Sequence, residues 1–289
     1  MKRYEFIKKN RKRFPVRRLC TMMRVSSSGY YAWRKRPVSQ RARENAALMI
    51  EISDIHKKSR KTYGSPRVYK DLVGRGRQLS ENRVARLMRK GDIAVKRKKK
   101  RKITTNSRHN YPVAPNFLNR DFTAEEPNKK WVTDITYIRT AEGWLYLAVV
   151  MDLFSRMIVG WAMDATMSAV LVKKAFEMAV LRRKPLKGLL HHSDRGSQYA
   201  SELYRSLLAD YHVCVSMSRT GNCYDNAVAE SFFSTLKREQ VDEQDYRTRQ
   251  QAKTDIFSYI EGFYNPERRH STLDYLSPAQ FEQRYYNSP

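Results

Sequence analysis

The sequence predicts an all-α amino-terminal region followed by a mixed α/β domain with a five-stranded sheet. Helix-capping residues and amphipathic spacing recur up to about Val95. Three β-rich runs begin at Trp131 and give way to alternating helix and strand patterns. The charge changes character between the two parts: residues 1–110 hold 35 Lys and Arg against 7 Asp and Glu, the whole formal excess of +28, whereas residues 111–289 hold 22 of each. With 289 residues, 41% of them hydrophobic and 11% aromatic, the chain can bury the cores of about two domains.

Residues 5–36 read as short helices, EFIKKNRKRF and VRRLCTMM, then a turn at RVSSS and a helix starting near Ser28 with GYYAWRKR. Helix, tight turn and Ser-capped basic helix make residues 1–40 a helix-turn-helix-like unit, a pattern that any small helical hairpin shares. Tyr30, Tyr31 and Trp33 read as its hydrophobic face. A second unit of the same type, residues 41–95, holds ENAALMIEISDIHKKS, SPRVYKDLVGRG and SENRVARLMRKGDI. Ser65 with Pro66 marks one helix start, Ser80 caps another, and Gly91 closes it. The last helix turns Val84, Leu87 and Met88 inward and presents Arg83, Arg86, Arg89 and Lys90, which makes it the better recognition-helix candidate. The same cations also fit the solvated face of a packing helix. The adjoining run KRKKKRK at 96–102, with Lys98, Lys99 and Lys100 at its centre, favours phosphate contact.

Such a density of cations repels itself unless it meets a polyanion, and a phosphate backbone repays the meeting through counterion release. Nucleic acid is the expected partner. Cys20, Cys214 and Cys223 show no metal-type spacing and no disulfide framework, which fits a reducing cytoplasmic setting. No unbroken apolar run reaches the roughly 18 residues of a membrane span, and no export signal is evident.

Residues 96–127, punctuated by Pro112, Pro115 and Pro127, read as a basic linker. The runs WVTDITYI, WLYLAVVMDLF and RMIVGWAMD, with short turns at residues 141–143 and at Ser155, predict a three-stranded antiparallel meander. A helix from Ser168 to Arg183, a strand at GLLHHS, a helix near SELYRSLLAD, a strand at HVCVSM and a helix from Asn226 to Glu239 complete the domain. Residues 241–289 form a helical extension.

Three carboxylates stand out. Asp134 interrupts a strongly β-forming run, where an uncompensated charge is costly. Asp194 follows the strand GLLHHS and opens a glycine-containing loop at the carboxyl end, where α/β sheets collect ligands. Glu230 lies in the first turns of a helix that Asp225 is placed to cap. Each alone reads first as an ordinary structural or solvent-facing residue. Converging from three elements, they offer the hard oxygen donors that Mg²⁺ or Mn²⁺ prefers. Two such ions about 3.5–4 Å apart can activate a nucleophile and stabilise a leaving oxygen. No Ser/His/Asp or Cys/His arrangement competes. His191 and His192 read as structural before they read as ligands, and Asp152 reads as a strand-end carboxylate that could assist the site indirectly.

Between Asp134 and Asp194 lie 59 residues, between Asp194 and Glu230 lie 35, and Lys237 follows Glu230 by two helical turns. This spacing resembles the D, D-35-E signature of the retroviral integrase and bacterial transposase superfamily. The strings WVTDITYI, HHSDRGSQYAS, SRTGNCYDNAVAESFFSTLKRE and YNPERRHSTLDYLSP closely resemble the B-frame transposase of the insertion-sequence-three family, across nearly the whole chain.

The resemblance implies a ribonuclease-H-like catalytic core over residues 128–240, with Asp134 and Asp194 on neighbouring strands. It implies Asp134, Asp194 and Glu230 as catalytic ligands of two Mg²⁺ or Mn²⁺ ions, and Lys237 as a contact to donor DNA. Arg268, Arg269 and His270, in the C-terminal family string, are expected to hold phosphate, a turn of solvated charges being the alternative. The implied activity is cleavage that exposes a 3′ end and strand transfer on double-stranded insertion-sequence ends and target DNA, in a homo-oligomer, in the cytoplasm with the nucleoid. In this family the transposase is commonly a frameshift fusion with an upstream frame that adds a leucine zipper. No sustained leucine heptads occur here, so the chain reads as a B-frame product, with the upstream-frame protein or its fusion as a further expected partner. A DNA-binding regulator of transposition without its own catalysis is the alternative function, and a nuclease that does not join is a third.

Overall fold

The computed structural model describes residues 2–95, 112–219 and 223–288. It divides within one long helix into two compact units, Met1–Ser53 and Asp54–Pro289.

The first unit contains α1 (Lys2–Asn10), α2 (Val16–Met22), α3 (Ser27–Lys35) and the first part of α4 (Gln40–Lys58). Ser26 caps α3, its Oγ accepting from Gly29 N at 3.0 Å, so the helix starts one residue ahead of the expected Ser28. Ile7, Leu19, Cys20 and Tyr30 form a small core, against which Tyr4 and Trp33 pack. Tyr31 meets Tyr30 edge-on yet stays exposed, so only part of the aromatic set is core.

In the second unit, α5 (Ser65–Gly74) packs on α6 (Glu81–Lys90). Then come β1 (Lys130–Thr140), β2 (Gly143–Asp152), β3 (Ile158–Asp164), α7 (Ala169–Arg183), β4 (Leu190–Ser193), α8 (Ser197–Ala200), α9 (Glu202–Asp210) and β5 (Cys214–Met217). A 3₁₀ turn, Cys223–Asn226, leads into α10 (Ala227–Leu236), a π-helical turn (Lys237–Val241), α11 (Arg249–Tyr259), a second π turn (Ile260–Tyr264) and α12 (Pro278–Tyr286).

The sheet order is β3-β2-β1-β4-β5. β1, β2 and β3 pair antiparallel, as a meander must, while β4 joins β1 and β5 joins β4 in parallel. α7 lies close over β3 because Gly160 has no side chain: a Cβ there would collide with the Ala175 carbonyl and come within 2.7 Å of the Ala179 Cβ. Trp131, Val150, Phe176, Tyr204 and Met217 belong to the core that α7 and α9 build on the sheet.

The C-terminal segment locks this body together. The Asn265 side chain completes the free edge of β3, its Oδ1 accepting from Ile158 N at 2.9 Å and its Nδ2 donating to Ile158 O at 2.9 Å. Glu282 on α12 receives Arg183 through two bonds of 2.7 Å and the Ser155 hydroxyl at 2.6 Å. Tyr63, just before α5, donates to Glu267 O at 3.1 Å and accepts from Arg269 N at 2.8 Å. Among the described residues no helix is long and apolar enough to cross a membrane.

Candidate active site

β1 and β4 run parallel with Trp131 opposite His191 and Val132 opposite His192. Two residues beyond that last pair stand Asp134 and Asp194, so the register itself sets these two carboxylates side by side. Asp134 is half-buried in β1, opposite Val149 of β2. Asp194 follows the last residue of β4, and its Oδ1 accepts from Gly196 N at 2.9 Å, the bond that shapes the tight loop into α8. The third carboxylate arrives on α10. Asn226, at the start of that helix, donates from Nδ2 to Thr133 O at 3.1 Å and so ties it to the residue beside Asp134. Glu230 follows in the first turn, on the exposed side.

Burial and the charges of Asp194 and Glu230 push the Asp134 carboxyl well above the usual range, against the pull of its bond from Ile135 N at 2.8 Å and of the Lys237 ammonium. Glu230 is pushed up by desolvation and by Asp194. The three acids therefore feel one another through the protein, and Lys237 enters the same field. Lys237 also lies over the Tyr137 ring, 4.6 Å from its centroid. Among the described residues no three His, Cys, Asp or Glu side chains close on one point as metal ligands do. The donor chemistry nevertheless suits a hard divalent cation: all three groups offer carboxylate oxygens, and their mutual repulsion is what such a cation relieves.

Integrase core domain models match residues 124–223 and 230–285, and an HTH-like domain model matches residues 42–101. The chain is 39% identical over 284 residues to the transposase InsF for insertion sequence IS3A of Escherichia coli (strain K12), covering 98% of this chain and 99% of that one. The chain belongs to the IS3 transposase family. A 31 kDa protein of insertion element IS600 from Shigella sonnei, itself uncharacterized, is 44% identical over 93% of this chain and 98% of its own. The HTLV-2 integrase catalytic core domain, solved in complex with magnesium in a trimeric form, aligns over 54% of this chain and 97% of its own at 17% identity and a TM-score of 0.42. The BIV integrase catalytic core aligns over 55% and 96%, at 16% identity and a TM-score of 0.42. The transposase is a DDE-type polynucleotidyl transferase with an integrase core on a mixed five-stranded sheet, preceded by an HTH-like domain.

Other side chains of the transposase that the sequence singles out fall into two groups. On α6, Arg86, Arg89 and Lys90 are exposed and Arg83 is half-buried, while Val84, Leu87 and Met88 are buried. Lys98, Lys99 and Lys100 lie outside the described residues. Arg268, expected at a phosphate, is instead 3% exposed and fully engaged: Nε donates to Glu239 Oε2 at 2.7 Å and an NH₂ to Oε1 at 2.8 Å. A guanidinium inside such a fork is not open to DNA. Arg269 donates to Tyr275 O at 2.9 Å and pairs with Asp71 at 3.7 Å, and His270 packs edge-on against Tyr264. Arg268 is therefore part of the architecture of the transposase, while Arg269 is half-buried beside Asp71.

His191 meets the Tyr204 hydroxyl at 2.8 Å, and His192 meets Ser216 Oγ at 2.8 Å and Ser218 Oγ at 3.1 Å. Both are buried and burial pulls them down, His191 to about 3 and His192 to about 4, which leaves neutral rings bracing the strand before Asp194. Asp152 accepts from Asn128 N at 2.7 Å and Phe154 N at 2.9 Å and pairs with Arg183 at 3.5 Å, so it serves the junction with α12.

Asp225 does not cap α10. It is buried and accepts from Arg219 N at 2.9 Å, from Arg120 Nε at 2.9 Å and from Asn116 Nδ2 at 3.0 Å, and the Arg219 side-chain bonds hold it well below the usual carboxylate range. Asp225 and Asn226 together fix the approach of the Glu230 helix. Both sit in the quoted string NCYDNAVAE, but a short polar pair before a helix reads as a cap when its partners are far off in sequence.

Proposed function

We propose that Asp134, Asp194 and Glu230 are the catalytic residues of this transposase and hold two Mg²⁺ or Mn²⁺ ions. One observation supports the assignment: the parallel register of β1 and β4 carries Asp134 and Asp194 to the same end of the sheet, and the bond from Asn226 Nδ2 to Thr133 O at 3.1 Å brings the Glu230 helix to it. When bound, the ions supply Lewis-acid activation of the attacking hydroxyl and stabilisation of the leaving oxygen. β1 and β4 hold two of the carboxylates on a paired sheet, and the Asn226 bond holds the third helix to that sheet. Lys237 neutralises phosphate charge beside them.

The reaction runs in two displacements. Water attacks an end phosphodiester, its proton leaves to solvent, and the broken P–O bond frees a 3′-hydroxyl. That hydroxyl then attacks a second phosphodiester, forming one P–O bond as another breaks. Residues 1–40 and 41–95 act as DNA-reading units, with Arg83, Arg86, Arg89 and Lys90 on one recognition helix; residues 96–127, with Lys98, Lys99 and Lys100, follow phosphate; 128–240 is the catalytic core and 241–289 its helical brace. The substrates are double-stranded insertion-sequence ends and target. Bringing two ends together calls for a homo-oligomer, and the upstream-frame protein or its fusion is a further partner. The working place is nucleoid DNA in the cytoplasm.

Purified chain incubated with labelled end DNA and Mg²⁺ tests the reading. Joined products are expected. Nicks without joining would make the chain a nuclease, and binding without either would make it a regulator.

A further inference from the structure

We infer that Trp144 is a stacking platform for one unpaired base of the DNA strand whose phosphate lies at the carboxylates. The inference rests on the active-site assignment above and adds to it a substrate-binding residue that spacing does not reveal.

Trp144 is the second residue of β2, directly opposite Arg139 of β1. It is 47% exposed, although Trp is among the most hydrophobic of side chains. Its ring meets Tyr137 in a T-shaped contact with centroids 5.0 Å apart, and Tyr137 in turn carries Lys237 over its own ring. These groups line one open cleft of about 840 Å³, together with Arg139, Arg247, Asp242 and Asp245. That volume falls within the range of about 300–1,000 Å³ typical of ligand pockets. Lys237 lies between the cleft and the acids: its ammonium stands over Tyr137, three residues along β1 from Asp134, and it follows Glu230 on the helix that α10 begins.

The platform is rigid. Ala141 N donates to Tyr246 O at 2.9 Å, Arg249 N donates to Glu142 Oε2 at 2.8 Å and Arg249 Nε donates to Trp144 O at 3.0 Å, so the β1–β2 hairpin is pinned on both sides of its turn. Gly143 makes the turn at φ +104°, a conformation that suits glycine. An exposed Trp144 braced by the half-buried Tyr137, with Arg139, Arg247 and Lys237 on the same cleft, has parts of a single-strand surface: a ring for a base face and Arg or Lys for backbone, with Asp242 and Asp245 also on its lining. Any base fits such a surface, since every base has a π-face. A duplex end must unpair there before a ring can reach a base.

The test compares wild type with Trp144→Ala, Trp144→Phe and Trp144→Leu in the full chain. Each is assayed for Mg²⁺-dependent cleavage of end duplexes that are intact or abasic at one of the nucleotides flanking the cut. On intact DNA Trp144→Ala is expected to cleave about tenfold more slowly, within the range for loss of one base stack, and Trp144→Phe to keep most of the rate. On one of the abasic duplexes the penalty should vanish, because no base remains to stack. Trp144→Leu keeps apolar cover without a ring face; it carries the comparison if the alanine variant melts early, and it should behave as alanine does. A penalty that is absent on intact DNA, or equal on every abasic duplex, overturns the inference. Failure of the carboxylate assignment reads out separately: Asp194→Asn would then cleave normally on intact DNA whatever stands at Trp144.

Discussion

Asp134 and Glu239 are carboxylates of the same unit, both set among packed neighbours, and their surroundings push them in opposite directions. Around Asp134, burial and two like charges raise the carboxyl. Around Glu239, burial is outweighed by bonds from Arg268 and from the Tyr259 hydroxyl at 2.7 Å, and the carboxyl is lowered. The second site carries its compensation within the fold. The first gathers like charges whose mutual repulsion outweighs the bond from Ile135 N and the pull of Lys237 on Asp134. A carboxylate held down by its own ion pair is architecture, and a cluster of acids raised by one another is a candidate place for metal ligands.

Asp194→Asn strikes the cluster of acids. Cleavage of labelled end DNA is expected to drop by at least about a thousandfold, with DNA affinity nearly unchanged; cleavage that persists would remove the contrast altogether. Arg268→Ala strikes the compensated site and strands Glu239 without its partner. A loss of about 3–5 kcal/mol in urea unfolding is expected. A stable variant with weakened DNA binding would instead return Arg268 to the phosphate ligands.

The exposed cations of α6 offer a gentler test. Replacing Arg86, Arg89 and Lys90 together by alanine should lower DNA affinity and flatten its salt dependence by up to about three units of slope. At saturating DNA the cleavage rate should hold, and a lost rate there would place chemistry outside the acids. The smallest effect concerns His191, a buried group with no charge to compensate. Its folded value of about 3 lies below the ordinary value of about 6.5, so between them the unfolded chain binds more protons. Its contribution to stability is complete above pH 6.5 and is lost as pH falls. His191→Gln should show a flatter fall of melting temperature between pH 6.5 and pH 4, and an unchanged slope would mean that the acid sensitivity lies elsewhere.

Much of the catalytic half is legible in the sequence because its signals are local. The β-rich runs predict the meander, a glycine loop after a short strand marks Asp194, and Val84, Leu87 and Met88 repeat on one side of α6 as helical spacing requires. The acids become a site only through their spacing and the family resemblance, since each alone matches a common structural carboxylate. The C-terminal motif is misread for a physical reason. Arg268 looks like a phosphate ligand because its partner Glu239 lies 29 residues earlier, on a π-helical turn that periodicity does not predict. Asp225 looks like a helix cap because Arg120 lies 105 residues earlier. Charge patterning shows that a cation is present and is silent on whether the fold has already used it.

The most direct test of the central claim is a calorimetric titration of Mn²⁺ into the full-length chain and into Asp134→Asn and Asp194→Asn. Wild type is expected to bind the ion, and each substitution to abolish or severely weaken that binding while leaving the folded state intact. Equal Mn²⁺ binding by all three proteins would contradict the claim that Asp134, Asp194 and Glu230 form the metal site.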